Sequence, residues 1–381
     1  MLKKFLENKP LYYDVIDTTR MPRVYKKVRF YFKNANIIHL VGTNAKGTTG
    51  RFLATALFHK GFKVGHYTSP HILEFHERIW LDGNNASDAV LESAHKQLQE
   101  ILSSQDADAL SYFEYTTLLA MLVFNDCDYI VLEAGLGGEF DATAVFPKIL
   151  TLVTPIDFDH EAFLGNTLEA IAATKLRAMQ KNVILGKQKY AEVASIAQSI
   201  ASKKSAQVYA METLLDADDA EKIDAIREKL SLAEYLQDNL KLSISALKFL
   251  KITYNVEDFS NARLFGRLTK IAPNVTIDVG HNPLAARSVA KAFEGEKIIL
   301  VYNTYKDKNY KEILQILKPI VLQVQIIPIE GERAVAKELL IETLNELEML
   351  FSDFEGLNTA QNYLVFGSFS VVETFLRQYN G

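Results

Sequence analysis

Two α/β domains with parallel sheets are predicted by three features of the sequence. Short runs rich in Ile, Val and Leu alternate with longer amphipathic segments, the alternation pauses once and restarts, and 381 residues exceed what one core usually serves. The runs are apolar throughout, as strands covered on both faces must be. In the first part they fall at 37–41, 63–67, 129–134, 149–156, 182–185 and 207–211, each beside helical sequence. A long helical stretch at 232–250 leads into the polar segment 255–261, which has no clear period, so the boundary is set there, with domains 1–258 and 259–381. Strands resume at 275–279, 297–302, 322–328 and 363–366, giving a second, smaller sheet.

Composition narrows the function classes. The chain is 48% hydrophobic and 23% charged with a formal net charge of -5, which gives no general attraction to polyanions, so nucleic acid is not an expected partner. A single cysteine, Cys127, excludes an intramolecular disulfide and a four-cysteine zinc site, and fits a reducing compartment. The first residues, MLKKFLENKPLYYD, lack the apolar core of a signal peptide, and no stretch has the length of a membrane span, so a cytoplasmic protein with no membrane partner is expected. Neither repeats nor low-complexity tracts point to a scaffold.

The run IIHLV passes directly into GTNAKGTT and then into the helical pattern TTGRFLATALFHKGF. A loop between a strand end and a helix N-terminus presents free N–H groups and the positive end of the helix dipole to one point, which suits a phosphate. Here Asn44, Ala45, Lys46, Gly47 and Thr48 form that loop, with Lys46 supplying a full charge and Thr48 and Thr49 hydroxyls for phosphate or Mg²⁺. The lysine precedes the second glycine instead of following it, so the spacing departs from the usual phosphate-loop pattern. Taken alone, the same residues would serve as a polar strand-to-helix turn.

Open parallel sheets bind ligands at the carboxyl ends of their strands. Ser69 follows one apolar run in KVGHYTSPH, Glu133 ends another in YIVLEAGLGGEFDAT, and Asp157, Asp159 and His160 follow a third in LTLVTPIDFDH. Hard oxygen ligands with one imidazole suit a magnesium–nucleotide site. Ser69 alone would pass as a turn residue and His160 as a polar loop residue, and Cys127 beside a buried run is most simply core. Together these segments predict a P-loop-type parallel sheet that binds ATP with a divalent metal.

Read together, the motifs resemble the folylpolyglutamate synthase and dihydrofolate synthase family of the Mur ligase superfamily. GTNAKGTT resembles the family's phosphate loop, YTSPHILEFHERI the segment after it, and LEAGLGGEFDAT its glycine-rich loop. IDFDHEAFLGNTLEAIAATK resembles the segment with a metal-binding histidine and a lysine that the family carbamylates. FGR at Phe265 to Arg267 and DVGHNP at Asp278 to Pro283 are similar to nucleotide contacts from a Rossmann-like second domain. The matches run in order from the first third of the chain to the last.

That resemblance implies roles. Lys46 and its loop would hold the ATP phosphates; Ser69, Glu133 and His160 would coordinate magnesium; Lys175, carbamylated, would support a second metal. By its own surroundings Lys175 is a lysine on an amphipathic helix, a solvated charge. Asn239, Arg267 and Asp278 would contact the nucleotide, His281 would lie near the incoming glutamate, and Phe113, Glu139, Phe140 and Asp141 near the pterin or folate. Ala45 stands where the family usually has glycine, so a positive φ there would carry a cost. Ala144, the KLRAM segment after the lysine, and Val279–Gly280 also depart from the family pattern.

The expected activity is ATP-dependent ligation of L-glutamate to dihydropteroate, to the γ-carboxylate of reduced folates, or to both, through an acyl phosphate. Its catalytic residues would be Lys46, His160, Lys175 and His281, and the family implies a monomer. A Mur-type ligase acting on a cell-wall precursor and a catalytically inactive nucleotide-binding regulator are the alternatives.

Overall fold

The computed structural model describes residues 1–10, 17–331 and 333–379. The chain divides into two compact units, the first comprising Met1–Leu232 and Leu236–Ala262 and the second Ala233–Tyr235 and the chain from Arg263. The division thus falls beyond residue 258, because the turn Val256–Phe259 places Phe259, and then Ala262, in the first unit's core beside Phe52 and Leu53.

In the first unit eight strands form one sheet: β1 (Asn36–Val41), β2 (Val64–Tyr67), β3 (Ile79–Leu81), β4 (Asn84–Asn85), β5 (Tyr129–Glu133), β6 (Leu150–Val153), β7 (Asn182–Leu185) and β8 (Gln207–Ala210), in the order β4-β3-β2-β5-β1-β6-β7-β8. The six strands from β2 to β8 are parallel, and β3 and β4 add an antiparallel edge. Leu40 of β1 lies opposite Glu133 of β5, and Val41 opposite Val153 of β6, so three strands end level beside the loop that follows β1. Their residues are almost all buried, which explains the unbroken apolar runs. The helix Lys46–His59 covers one face and packs against the helix Gln237–Phe249. The buried Ser243 hydroxyl on the latter donates to the Thr49 carbonyl at 2.9 Å. The helical stretch expected from residue 232 begins only at Gln237, after a 3-10 turn at Glu234–Leu236.

The second unit holds β9 (Thr269–Ala272), β10 (Val275–Asp278), β11 (Ile298–Tyr302), β12 (Val321–Ile326), β13 (Phe351–Asp353) and β14 (Tyr363–Phe366), ordered β13-β12-β11-β14-β10-β9. All pairs are parallel except β9 with β10. It is a doubly covered α/β sheet with its own core, in which Ile298, Leu300, Leu314, Leu340 and Phe366 cluster. Among the described residues no helix is long and apolar enough to cross a membrane.

Candidate active site

Behind the end of β1 the chain turns through Gly42, whose φ is +148° and whose missing Cβ would sit 2.0 Å from the Thr154 hydroxyl. Only glycine tolerates both. The Thr43 and Asn44 N–H groups donate to the Pro155 carbonyl at 2.9 and 3.4 Å, fastening this loop to the chain that leaves β6. β6 ends at Val153 and not at residue 156: beyond Thr154, whose N–H still donates to the Val41 carbonyl, the Pro155 and Asp157 backbone bonds to Thr43 and Asn44 of the phosphate loop and the Ile156 N–H to Gln188. Ala45 caps the helix Lys46–His59 with φ 74°, the left-handed conformation that the sequence left open. Its first N–H groups are free of intrahelical partners, as at any helix start, which suits them to an anion.

Three side chains from distant segments meet there. Lys46 Nζ donates to the Gly42 carbonyl at 3.1 Å and the Thr43 carbonyl at 3.3 Å, and lies 3.9 Å from Glu133 Oε1. Glu133 Oε2 accepts from the Thr68 hydroxyl and, at 3.3 Å, from the Ser69 N–H, so the ends of β2 and β5 are joined. Lys175 Nζ donates to the same Gly42 carbonyl at 3.1 Å. This lysine is 3% exposed, not the solvated charge its helix suggests. Burial first, and then the neighbouring Lys46 charge, pull its pKa down to about 7, against the opposing pull of Asp159 and Asp141.

The glycine-rich loop after β5 lies on the helix Leu168–Leu176 that carries Lys175. A Cβ on Gly138 would come within 2.6 Å of the Lys175 carbonyl, so the close approach needs glycine. Asp141 knots the loop: Oδ2 accepts from the Gly135 and Leu136 N–H groups at 2.9 and 3.0 Å, and Oδ1 accepts from the N–H and hydroxyl of Thr143 at 2.9 and 2.5 Å. Burial raises the Asp141 pKa despite these bonds. Glu139, Phe140 and Asp141 line one cavity of about 280 Å³ together with Thr18, Pro22 and Tyr25. Phe113 stands apart from that lining, against Gly135 and with its ring 5.6 Å from that of Tyr67.

His160, with φ 55°, caps the short helix Glu161–Leu164, and its Nε2 is 3.9 Å from Asp159 Oδ2. It follows the Thr154–Asp157 segment tied to the phosphate loop, and Asp159 is close enough to act on Lys175. Glu133, His160 and the carboxylates beside them do not form a preassembled cage; among the described residues such a grouping occurs at Asp216, Asp218 and Asp219, where Lys248 pairs with Asp216 and Asp219 at 2.7 and 3.0 Å. Magnesium keeps several waters and takes one or two carboxylates plus substrate phosphates, so the oxygen-rich donors at these strand ends fit it without a cage.

Asn239, 6% exposed, sits on the helix Gln237–Phe249 of the first unit. Within the second unit Asp278 ends β10 and is buried; Oδ2 accepts from the Leu268 N–H at 2.9 Å and the Tyr235 hydroxyl at 3.3 Å, and Oδ1 accepts from the Gly280 N–H at 2.7 Å. Burial raises its pKa, while the nearby Arg267 opposes that shift. The Arg267 guanidinium lies 5.3 Å over the Phe369 ring. His281 Nδ1 is 3.2 Å from the Val279 carbonyl, and Asn282 caps the helix Pro283–Ala292.

No protein-family model matches the chain. A curated dihydrofolate synthase/folylpolyglutamate synthase of Escherichia coli K12 is 32% identical over 364 residues, 88% of this chain and 85% of that protein. The chain belongs to the dihydrofolate synthase/folylpolyglutamate synthase family. The Haemophilus influenzae member is 29% identical and matches 93% of this chain and 92% of its own length. Among solved structures, the folylpolyglutamate synthetase of Helicobacter pylori is 41% identical with a TM-score of 0.81, covering 100% of this chain and 98% of that one. The E. coli enzyme solved with DHPP and ADP is 26% identical with a TM-score of 0.83, covering 99% and 96%. The two-unit fold is thus that of the Mur-ligase-type synthases, and the chain is an ATP-dependent ligase of this family.

Sequence patterns for this synthase family did not single out Thr43, which bonds the β6 exit, or Thr68, which shares Glu133 with Ser69. The signal for Thr68 is its place directly before Ser69 at the same strand end. For Thr43 nothing local distinguishes it from other loop threonines.

Proposed function

We propose that this chain joins L-glutamate to dihydropteroate, to the γ-carboxylate of reduced folates, or to both, with ATP bound at the 42–49 loop. One observation carries the proposal: Lys46, Glu133 and Lys175, from three separate segments, meet around Gly42 at the end of the central strand. An E. coli relative solved with DHPP and ADP supports a nucleotide beside a second small-molecule ligand.

In this proposal the loop N–H groups, the helix dipole and Lys46 receive the β- and γ-phosphates. Thr48, Ser69, Glu133 and His160 hold Mg²⁺. When bound, that ion neutralises charge gathering on the transferred phosphoryl oxygens. The substrate carboxylate attacks the γ-phosphorus, ADP departs, and an acyl phosphate remains. The glutamate amine, with His281 beside it, then attacks the acyl carbon, releasing phosphate and a proton as the amide forms. Asn239, Arg267 and Asp278 contact the nucleotide, and the unit that resumes at Arg263 serves the glutamate. The cavity at Glu139, Phe140 and Asp141 takes the pterin, with Phe113 supporting the glycine loop beside it.

Lys175 is the residue carbamylated in this scheme. With a pKa near 7 a large share of its amine is neutral and adds CO₂ with loss of one proton, and ¹³C-bicarbonate would label the carbamate for NMR. A second metal at that carbamate, a monomeric state and a cytoplasmic site complete the proposal.

Phosphate release is the test, with ATP, magnesium and glutamate present and dihydropteroate or tetrahydrofolate offered separately. Release that depends on glutamate and on one of the two pterins is expected, and Lys46→Ala abolishes it without unfolding the chain. Turnover of Lys46→Ala near the wild-type rate, or ATP hydrolysis indifferent to glutamate, sinks the assignment.

A further inference from the structure

Asp157 occupies an unusual place between two loops. Its backbone faces the phosphate loop: the Thr43 hydroxyl donates to the Asp157 carbonyl at 2.9 Å and accepts from the Asp157 N–H at 3.0 Å. Its side chain faces the opposite way, toward the loop that leaves β7. There Oδ1 accepts from the Tyr190 hydroxyl at 3.0 Å and from the Phe158 N–H at 2.9 Å, while Oδ2 pairs with Lys189 Nζ at 3.2 Å. Asp157 is 6% exposed, so its carboxylate is screened from water, whereas Lys189 reaches it from an exposed position. Lys189 Nζ also lies 4.6 Å over the Tyr190 ring, which fixes the two donors relative to each other.

Gln188 strengthens the same seam. Its Oε1 accepts from the Ile156 N–H at 3.0 Å, and its Nε2 donates to the Thr154 and Gly186 carbonyls at 3.3 and 2.9 Å. Past Thr154, whose N–H still donates to the Val41 carbonyl at 2.8 Å, the β6 exit has no ladder to hold it. Its place is set by Thr43 and Asn44 on one side and by Gln188, Lys189 and Tyr190 on the other. That exit carries on to His160, so a shift of Asp157 would displace the phosphate loop and the histidine segment together.

We propose that Lys189 and Tyr190, acting through the Asp157 carboxylate, are positioning residues that hold the phosphate loop in its nucleotide-accepting geometry. Their side chains contact Asp157 and each other. Their effect travels through Asp157 and Thr43, and preorganised loops of this kind bind with less loss of freedom. The inference rests on ATP binding at the 42–49 loop as proposed above.

Tyr190→Phe, Lys189→Met and Lys189→Arg in the full chain test it, with Asp157→Asn as a fourth variant that keeps the backbone bonds. Steady-state kinetics should show the KM for ATP rising roughly five- to tenfold in Tyr190→Phe and Lys189→Met, with the glutamate KM within about twofold of wild type. Lys189→Arg restores the charge pair and should bring the ATP KM back. Asp157→Asn should exceed either single variant. The inference is overturned if Tyr190→Phe and Lys189→Met both leave the ATP KM unchanged, or if ATP and glutamate constants worsen in step with a falling Tm, which would mark a purely structural seam. Direct nucleotide titration of the wild-type chain separates this from the underlying scheme: absence of ATP binding there removes the functional proposal itself.

Discussion

Two residues at the phosphate loop hold conformations or charges that local sequence does not favour. Lys175 is buried among Ile171, Ala172 and Leu176, and burial depresses its pKa to about 7 from 10.5. Between those values the unfolded chain binds more protons than the folded one, so stability rises with pH across that window, and the full penalty is present below about pH 7. Lys175→Met removes it. With CO₂ and bicarbonate excluded, so that the wild-type amine is uncarbamylated, the variant should gain more in Tm relative to wild type near pH 6 than near pH 10, while ligation is lost at both; equal Tm differences at the two pH values would show that the amine is not held near neutrality. Ala45 adopts φ 74°, where a Cβ costs about 1 kcal/mol. Chemical denaturation of Ala45→Gly should therefore report a gain of that order, and a loss would mean the methyl group packs usefully. Neither feature is legible from its neighbours. A lysine after IAAT reads as solvated because its acceptor, the Gly42 carbonyl, lies far away in the chain, and the strain at Ala45 needs backbone angles to be seen.

Among the elements, the long apolar runs were legible and the short edges were not. β1, β5, β7 and β14 coincide closely with apolar runs because both of their faces are covered. β3, β4, β9 and β13 are only two to four residues each, and all but the apolar β3 carry polar or mixed sequence, so periodicity has too little to act on. The β10 exit shows a different limit. Gly280, a departure from the family pattern, would bring a Cβ to 2.6 Å from Phe366 and 2.7 Å from the Ala285 methyl. Phe366 at the end of the neighbouring β14 fills the space that a larger residue would need. Gly280→Ala should cost roughly 1–3 kcal/mol by overpacking. Phe366→Leu should destabilise on its own, yet the double variant should lose less than the sum of the two, since one change makes room for the other. Strict additivity in urea denaturation would contradict this coupling.

At the scale of the whole molecule, the two sheets bury separate clusters. Leu118, Leu132 and Phe146, Leu40, Phe52 and Phe259, and Val153, Ile171 and Val183 anchor the first unit, and Leu300, Leu314 and Phe366 the second. The restart of the strand–helix alternation made that division visible in the sequence, but the segment Ala233–Tyr235 belongs with the second unit through bonds that no pattern reveals, Tyr235 to Asp278 and Glu234 to Lys291. Chains with separate cores commonly depart from two-state unfolding. Scanning calorimetry should accordingly give a calorimetric enthalpy larger than the van't Hoff value. ATP with magnesium at about a hundred times its dissociation constant should stabilise the nucleotide-binding part by about 2.7 kcal/mol, since only the folded state binds it. That stabilisation should vanish in Lys46→Ala, whose lost charge weakens the phosphates' hold without removing packing from either core. A single transition with equal enthalpies would show that the two units melt as one, and an undiminished shift in Lys46→Ala would move the triphosphate away from the Gly42 loop.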